Sequence, residues 1–138
     1  MRNRVFLDTA YAIALSASND SLHEKAKQLA LEVKSQQVRL VTTRAVMLEV
    51  GNALGKQRYR ATAIALLRLM EKDPTIEIVP LSEDLFVRAY NLYSQRPDKE
   101  WGLIDCVSFI VMEDNDLIEA LTSDDHFQQA GFQALMRS

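Results

Sequence analysis

Short apolar runs alternate along this chain with stretches of helical spacing, and that alternation restricts its possible folds more than any other feature. "RVFL" (Arg4–Leu7), "VRLVT" (Val38–Thr42), "IEIV" (Ile76–Val79), "LIEALT" (Leu117–Thr122) and "FQALM" (Phe132–Met136) have the length of buried strands. Helical readings fall between them, over about Ala10–Ala17, His23–Ser35, Thr43 to about Gln57, Arg60–Glu71, Ser82–Ser94, Leu103–Glu113 and Asp125–Ala130. Ala26, Leu29, Ala30 and Val33 recur at helical spacing, and Thr43 and Ser82 stand where N-caps belong. Strands alternating with helices imply βαβ units, hence an α/β fold with a mainly parallel sheet covered on both faces. No repeat, low-complexity segment or Pro/Gly-rich linker divides the chain, so one domain is expected over residues 1–138.

Four acids sit awkwardly in this pattern. Asp8 directly follows the first strand and Asp124 closes the fourth, in "ALTSDDHF". Glu49 lies among apolar neighbours in "MLEVGNAL", and Asp105 in the first turn of "GLIDCVSFIVM". At ~100° per residue, Val46, Ala53 and Val50 fall roughly 60°, 40° and 100° from Glu49, which places it on the shoulder of an apolar stripe. Ligands of open α/β sheets bind beyond the C-terminal ends of the strands, so Asp8 and Asp124 can share one edge despite their separation in sequence. Each acid except Glu49 has an alternative use at a helix start, as a cap or as a complement to the helix dipole.

Two carboxylates ~4 Å apart repel by about 4 kcal/mol at an effective dielectric near 20. A cluster of four therefore calls for protons or a cation. Hard oxygen donors suit Mg²⁺ or Mn²⁺, and such an ion lowers the pKa of water and stabilises charge developing during attack on phosphorus. This is nuclease chemistry, although a carboxylate cluster alone does not distinguish a nuclease from a phosphatase.

Composition narrows the remaining classes. With 48% hydrophobic and 25% charged residues the chain is of ordinary globular type. A net charge of −3 argues against nucleic-acid binding through overall charge and leaves room for a local basic patch. The one cysteine, Cys106, cannot form an internal disulfide. "MRNRVFLDTAYAIALSAS" superficially resembles a secretory signal, but Asp8 interrupts its apolar core. The apolar run Leu103–Met112 contains Asp105 and falls short of the ~20 residues of a membrane helix. These readings favour a cytoplasmic protein with no membrane association.

"FLDTA", "TTRAVMLEVGNAL", "WGLIDCVSFIVM" and "ALTSDDHFQQAGFQAL", in this order, resemble the PIN-domain family of Mg²⁺/Mn²⁺-dependent ribonucleases. Within that family they are similar to the VapC toxins of type II toxin–antitoxin pairs. The likeness runs over essentially the whole chain. It implies a three-layer α/β/α sandwich, endoribonuclease activity leaving 3′-hydroxyl and 5′-phosphate ends, a homodimer, and a cognate antitoxin laid across the active site. It assigns Asp8, Glu49, Asp105 and Asp124 to the family's four acidic positions, catalytic and metal-binding. Thr9 matches the hydroxyl residue after the first acid, and Thr122 and Ser123 lie beside the last. The family spacing selects Asp124 over Asp125, leaving Asp125 as a helix-start or outer acid. His126 is read as a surface or packing residue, and the run Glu113, Asp114, Asp116 as a solvated turn.

"KQRYR" (Lys56–Arg60) is either an RNA-contacting patch, through Lys56, Arg58 and Arg60 with Tyr59 stacking on a base, or a solvated connection. Trp101 either lines the cleft mouth or packs its loop. The alternatives to a toxin are a housekeeping PIN-domain RNA-processing nuclease and a non-catalytic binding module on the same fold. A phospho-acceptor domain fits poorly, because "DTA" lacks a second acid two residues after Asp8.

Overall fold

A computed structural model describes residues 1–137; Ser138, the last residue of the expected 1–138 domain, lies outside the described residues. The five apolar runs form β1 (Arg4–Leu7), β2 (Arg39–Thr43), β3 (Ile76–Val79), β4 (Glu119–Leu121) and β5 (Gln133–Ala134). They make one parallel sheet in the order β3-β2-β1-β4-β5. The helices are α1 (Thr9–Ser16), α2 (His23–Ser35), α3 (Arg44–Ala53), α4 (Arg60–Lys72), α5 (Glu83–Gln95), α6 (Leu103–Asp114) and α7 (Asp125–Gln129), with a 3₁₀ turn at Gln57–Tyr59. Helices α1 to α4 pack on one another, and α5 and α7 pack on α6; α3 touches both α1 and α6. The result is the three-layer α/β/α sandwich expected from the sequence.

The strand order locates the functional edge. From β1 the chain builds outward to β2 and β3, then returns to place β4 on the other side of β1. The connections leaving β1 and β4 therefore diverge to open a crevice beyond their C-terminal ends, the usual ligand position in such sheets. Asp8 and Thr122 are the first residues past those two strands.

Three helices enter the sheet through one device. At the ends of α2, α6 and α7, the left-handed residues Gln37 (φ 53°), Asp116 (φ 54°) and Gly131 (φ 97°) reverse the chain. The N–H of the next residue then returns to a carbonyl in the last helical turn: Val38 to Val33 at 2.9 Å, Leu117 to Met112 at 2.8 Å, and Phe132 to Phe127 at 2.9 Å. These are Schellman closures, each followed by an apolar residue leading into a strand.

Helix α3 ends earlier than its apolar pattern suggests, at Ala53 rather than near Gln57. Gly51 and Asn52 weaken the last turn. The N–H of Leu54 still reaches the Val50 carbonyl at 3.1 Å, but that of Gly55 tightens onto Asn52 at 3.3 Å. A Cβ at Gly55 would stand 3.2 Å from the Asn52 carbonyl oxygen, so the close approach favours glycine. The Arg60 guanidinium then donates to the Gly55 carbonyl at 2.7 Å and covers the helix end.

The core around β1 and β4 includes Val5, Phe6, Leu121 and Phe127, all fully buried. Phe127 packs edge-on against Phe109 with centroids 5.0 Å apart and lies 6.2 Å from Phe6. Trp101 adds another edge contact to Phe109 at 5.1 Å and donates its indole N–H to Gln129 at 3.1 Å. It thus packs its loop against the core. Since α7 has only five residues, its position depends on Phe127. Phe127→Ala should cost about 3–5 kcal/mol in urea unfolding; a loss under ~1 kcal/mol would show that α7 is held by something else.

Candidate active site

Asp8 occupies the N-cap position of α1, but its side chain makes no cap hydrogen bond. It turns instead toward β4, where the Thr122 hydroxyl donates to Asp8 Oδ2 at 2.7 Å. The capping use open to Asp8 in the sequence is therefore not the one it adopts. Thr122 also accepts the Asp124 N–H at 3.1 Å, so one buried hydroxyl links the first acid to the backbone of the last. The neighbouring strand end is closed similarly, with Thr42 donating to the Leu7 carbonyl at 2.8 Å and Thr43 capping α3 at the Val46 N–H.

The other acids come from three helices. Glu49, half-buried on α3, accepts the Thr9 hydroxyl at 2.5 Å, so the residue after Asp8 anchors the second acid. Asp105 is in the first turn of α6 and accepts the Gly102 N–H at 3.0 Å. Asp124 caps α7 by accepting the His126 N–H at 2.9 Å. Asp105 and Asp124 therefore do serve as caps, while keeping carboxylate oxygens for the crevice. Asp125 is exposed and its nearest partner is Gln129 within its own helix, so Asp124 is the acid that faces the site.

His126 joins this cluster, against its sequence reading as a surface or packing residue. Its Nδ1 lies 3.0 Å from Asp105 Oδ2 and 3.4 Å from Asp124 Oδ1. One ligand atom from each of Asp105, Asp124 and His126 falls within 4.8 Å of the others. Asp8 and Glu49 stand outside this tight trio, but Asp8 feels the charges of both Glu49 and Asp105, and Asp105 that of Asp124. The sequence signal for His126 was its place two residues after a capping acid, where the first turn of a helix returns side chains toward the cap.

The electrostatics fit a cation. Asp8 is 6% exposed, and burial raises its pKa from 3.8 to about 7, with the Thr122 hydrogen bond opposing and Glu49 and Asp105 adding to the rise. Burial likewise raises Asp105, against the Gly102 and His126 hydrogen bonds. At His126 burial disfavours the charged ring, yet the hydrogen bond to Asp105 and the charge of Asp124 outweigh it and raise the pKa. Buried carboxylates held near one another by fixed donors are a donor set that a hard divalent ion fits.

The remaining candidates lie apart. Lys56, Arg58 and Arg60 are exposed on the connection beyond α3, Arg58 with its guanidinium 4.8 Å above the Tyr59 ring and Arg60 bonded to Gly55. Glu113, Asp114 and Asp116 are solvent-exposed, Asp114 paired with Arg88 at 2.7 Å. Among the described residues no helix is long and apolar enough to cross a membrane.

A parallel sheet carrying acids at its topological switch point is the plan of a nuclease fold, and residues 5–133 match the PIN domain: the chain belongs to the PIN-domain family. It resembles VapC toxins within that family. It is 27% identical over 130 residues to the 23S rRNA-specific endonuclease VapC20 of Mycobacterium tuberculosis, spanning 93% of this chain and 95% of that protein. The crystal structure of VapC20, described as a Sarcin-Ricin loop cleaving toxin, superposes with a TM-score of 0.83 at 24% identity, over 93% of this chain and 95% of that one. VapBC2 from Rickettsia felis, bound to a DNA fragment from their promoter, superposes with a TM-score of 0.67 at 12% identity, over 95% and 96%.

The raised Asp8 pKa ties stability to pH. Below 3.8 both the folded and unfolded chains carry the proton, whereas between there and about 7 only the folded chain retains it. Stability without divalent ions should therefore fall as pH rises through that window, by up to about 4 kcal/mol, and level off above it. Melting temperatures in chelator should show this decline, and Asp8→Asn should flatten it. An equal decline in both proteins would place its origin elsewhere.

Proposed function

We propose that this chain is a Mg²⁺-dependent endoribonuclease, the toxin of a toxin–antitoxin pair, cleaving RNA phosphodiesters in the cytoplasm. The observation that carries this reading is the convergence of Asp8, Glu49, Asp105 and Asp124 on one sheet edge, with Asp8 buried within reach of the charges of Glu49 and Asp105, and Asp105 within reach of that of Asp124. Membership of a nuclease family and likeness to a VapC endonuclease support it.

Asp8, Asp105 and Asp124 hold Mg²⁺, or Mn²⁺ in its place, with Glu49 binding directly or through water. When bound, such an ion lowers the pKa of water and neutralises charge developing on the phosphorus oxygens. The protein's own contribution is orientation. Thr122 fixes Asp8, Thr9 fixes Glu49, and the Gly102 and His126 N–H groups fix Asp105 and Asp124. These carboxylates consequently need little reorganisation when an ion and a phosphate arrive. Lys56, Arg58 and Arg60 meet RNA phosphates, their positive charge offsetting an acidic chain.

Two apolar surfaces support protein partners. A cleft of about 710 Å³ beside α1, α2 and α4 is lined by Leu15, Val33, Leu66 and Leu69, and by none of the four acids. On α5, Phe86, Tyr90 and Tyr93 form an exposed stripe at helical spacing. In this reading a cognate antitoxin crosses the acidic edge, and the chain forms a homodimer.

Incubating the protein with total RNA and mapping new 5′ ends tests the activity. Cleavage should require Mg²⁺ and fall at least roughly a hundredfold in Asp105→Asn, with its fold intact by circular dichroism; cleavage at the parental rate would refute the assignment. Replacing Lys56 and Arg58 by alanine should flatten the salt dependence of single-stranded RNA binding by ~0.7 per lost phosphate contact. An unchanged slope would remove these residues from the RNA path.

A further inference from the structure

We propose that His126 donates a ring nitrogen to the divalent ion held by Asp105 and Asp124, making that half of the site a mixed nitrogen–oxygen centre that favours a transition ion such as Mn²⁺ over Mg²⁺. The inference rests on the reading of the acids as an ion site and adds a ligand of different chemistry to it.

Geometry carries the assignment. Ligands ~2.0–2.3 Å from a common ion lie no more than about 4.6 Å apart. The trio of Asp105, Asp124 and His126 atoms lies within 4.8 Å, so a small contraction brings all three onto one centre. Nδ1 is the nitrogen facing the carboxylates, 3.0 Å from Asp105 and 3.4 Å from Asp124. Ligation there uses the tautomer whose hydrogen is on Nε2. The His126 side chain is 26% exposed, open enough for an ion to enter.

The backbone also fixes where the side chain starts. His126 N–H is bonded to Asp124 Oδ1 at 2.9 Å, and the adjacent Phe127 is locked in the aromatic core. The stem of the side chain is thereby fixed beside the acids, and the ring contacts to Asp105 and Asp124 set its direction. His23, the other histidine, provides a contrast: its Nδ1 lies 2.8 Å from the Ala14 carbonyl oxygen, within a helix-to-helix contact on the other layer. Only His126 is aimed at acids. Carboxylate and water ligands suit Mg²⁺, which tolerates few departures from oxygen, whereas an imidazole shifts a site toward transition ions.

With two histidines in the chain, isotope labelling identifies an imidazole ligand and one variant at each position assigns it. Protein loaded with Mn²⁺ alone is examined by pulsed electron paramagnetic resonance, with natural-abundance and ¹⁵N-labelled histidine. An imidazole ¹⁴N coupling that converts on labelling, persists in His23→Gln and vanishes in His126→Gln is the expected result. In parallel titrations His126→Gln should weaken Mn²⁺ binding roughly tenfold or more and Mg²⁺ binding less than about threefold. Mn²⁺ bound without nitrogen coupling, or an equal loss for both ions, overturns the role of His126 and leaves the acidic site standing. Mg²⁺ binding without Mn²⁺ binding by the parental protein overturns the role of His126, and binding of neither ion overturns both readings.

Discussion

Desolvating a carboxylate is among the more unfavourable things a fold can do, and in this chain the burden falls on Asp8. Its position follows from topology: β1 is the central strand, and the residue after it faces the point where the sheet changes direction. The surrounding chain is arranged around that acid. Thr122 at the end of β4 donates to it, the same hydroxyl receives the Asp124 N–H, and Thr9 reaches across to Glu49. Hydroxyls suit this task because they donate to a carboxylate, and can accept a backbone N–H as well, while adding no charge of their own. The four acids are thus set on a neutral frame that fixes their positions and leaves their repulsion to be relieved by whatever binds.

Much of this was legible in the sequence, for identifiable reasons. Strands and helices were readable because buried parallel strands are short apolar runs and their covering helices are amphipathic. The acids were readable because they break those patterns. Asp105 in an apolar helix and Glu49 beside an apolar stripe look out of place before any coordinates are seen. What stayed hidden depended on local backbone geometry. Nothing in its residue type marks Gln37 as a left-handed joint and Asp116 carries only a weak signal, whereas Gly131 does so plainly. The early end of α3 arises from a tight approach at Gly55 that apolar spacing does not encode. His126 escaped notice because its main partner, Asp105, lies 21 residues earlier in the chain and meets it only through the packing of α7 on α6. Arg60 could be listed with Lys56 and Arg58 as a basic residue, but only coordinates show it bonded to the end of α3.

The surface divides by chemistry in a way that parallels the fold. The four acids lie at the C-terminal edge of the sheet, while apolar surface lies on the helical layers, in the cleft beside α1, α2 and α4 and along α5. The apolar cleft is lined by none of the four acids, so the two kinds of surface are distinct. Helix α3 joins the two regions. It contacts α1, α4 and α6, carries Glu49, and ends at the basic connection. A disturbance of α3 would be felt on both sides.

The connection between α5 and α6 divides the acids evenly, with Asp8 and Glu49 before it and Asp105 and Asp124 after it. The bond between Thr122 and Asp8 crosses that divide, as does the pairing of β1 with β4. A chain severed there yields two inert pieces, each with half a centre and each lacking a neighbour for a central strand. Reassembly would restore sheet and centre in one event, which makes this joint a natural place to build a complementation switch.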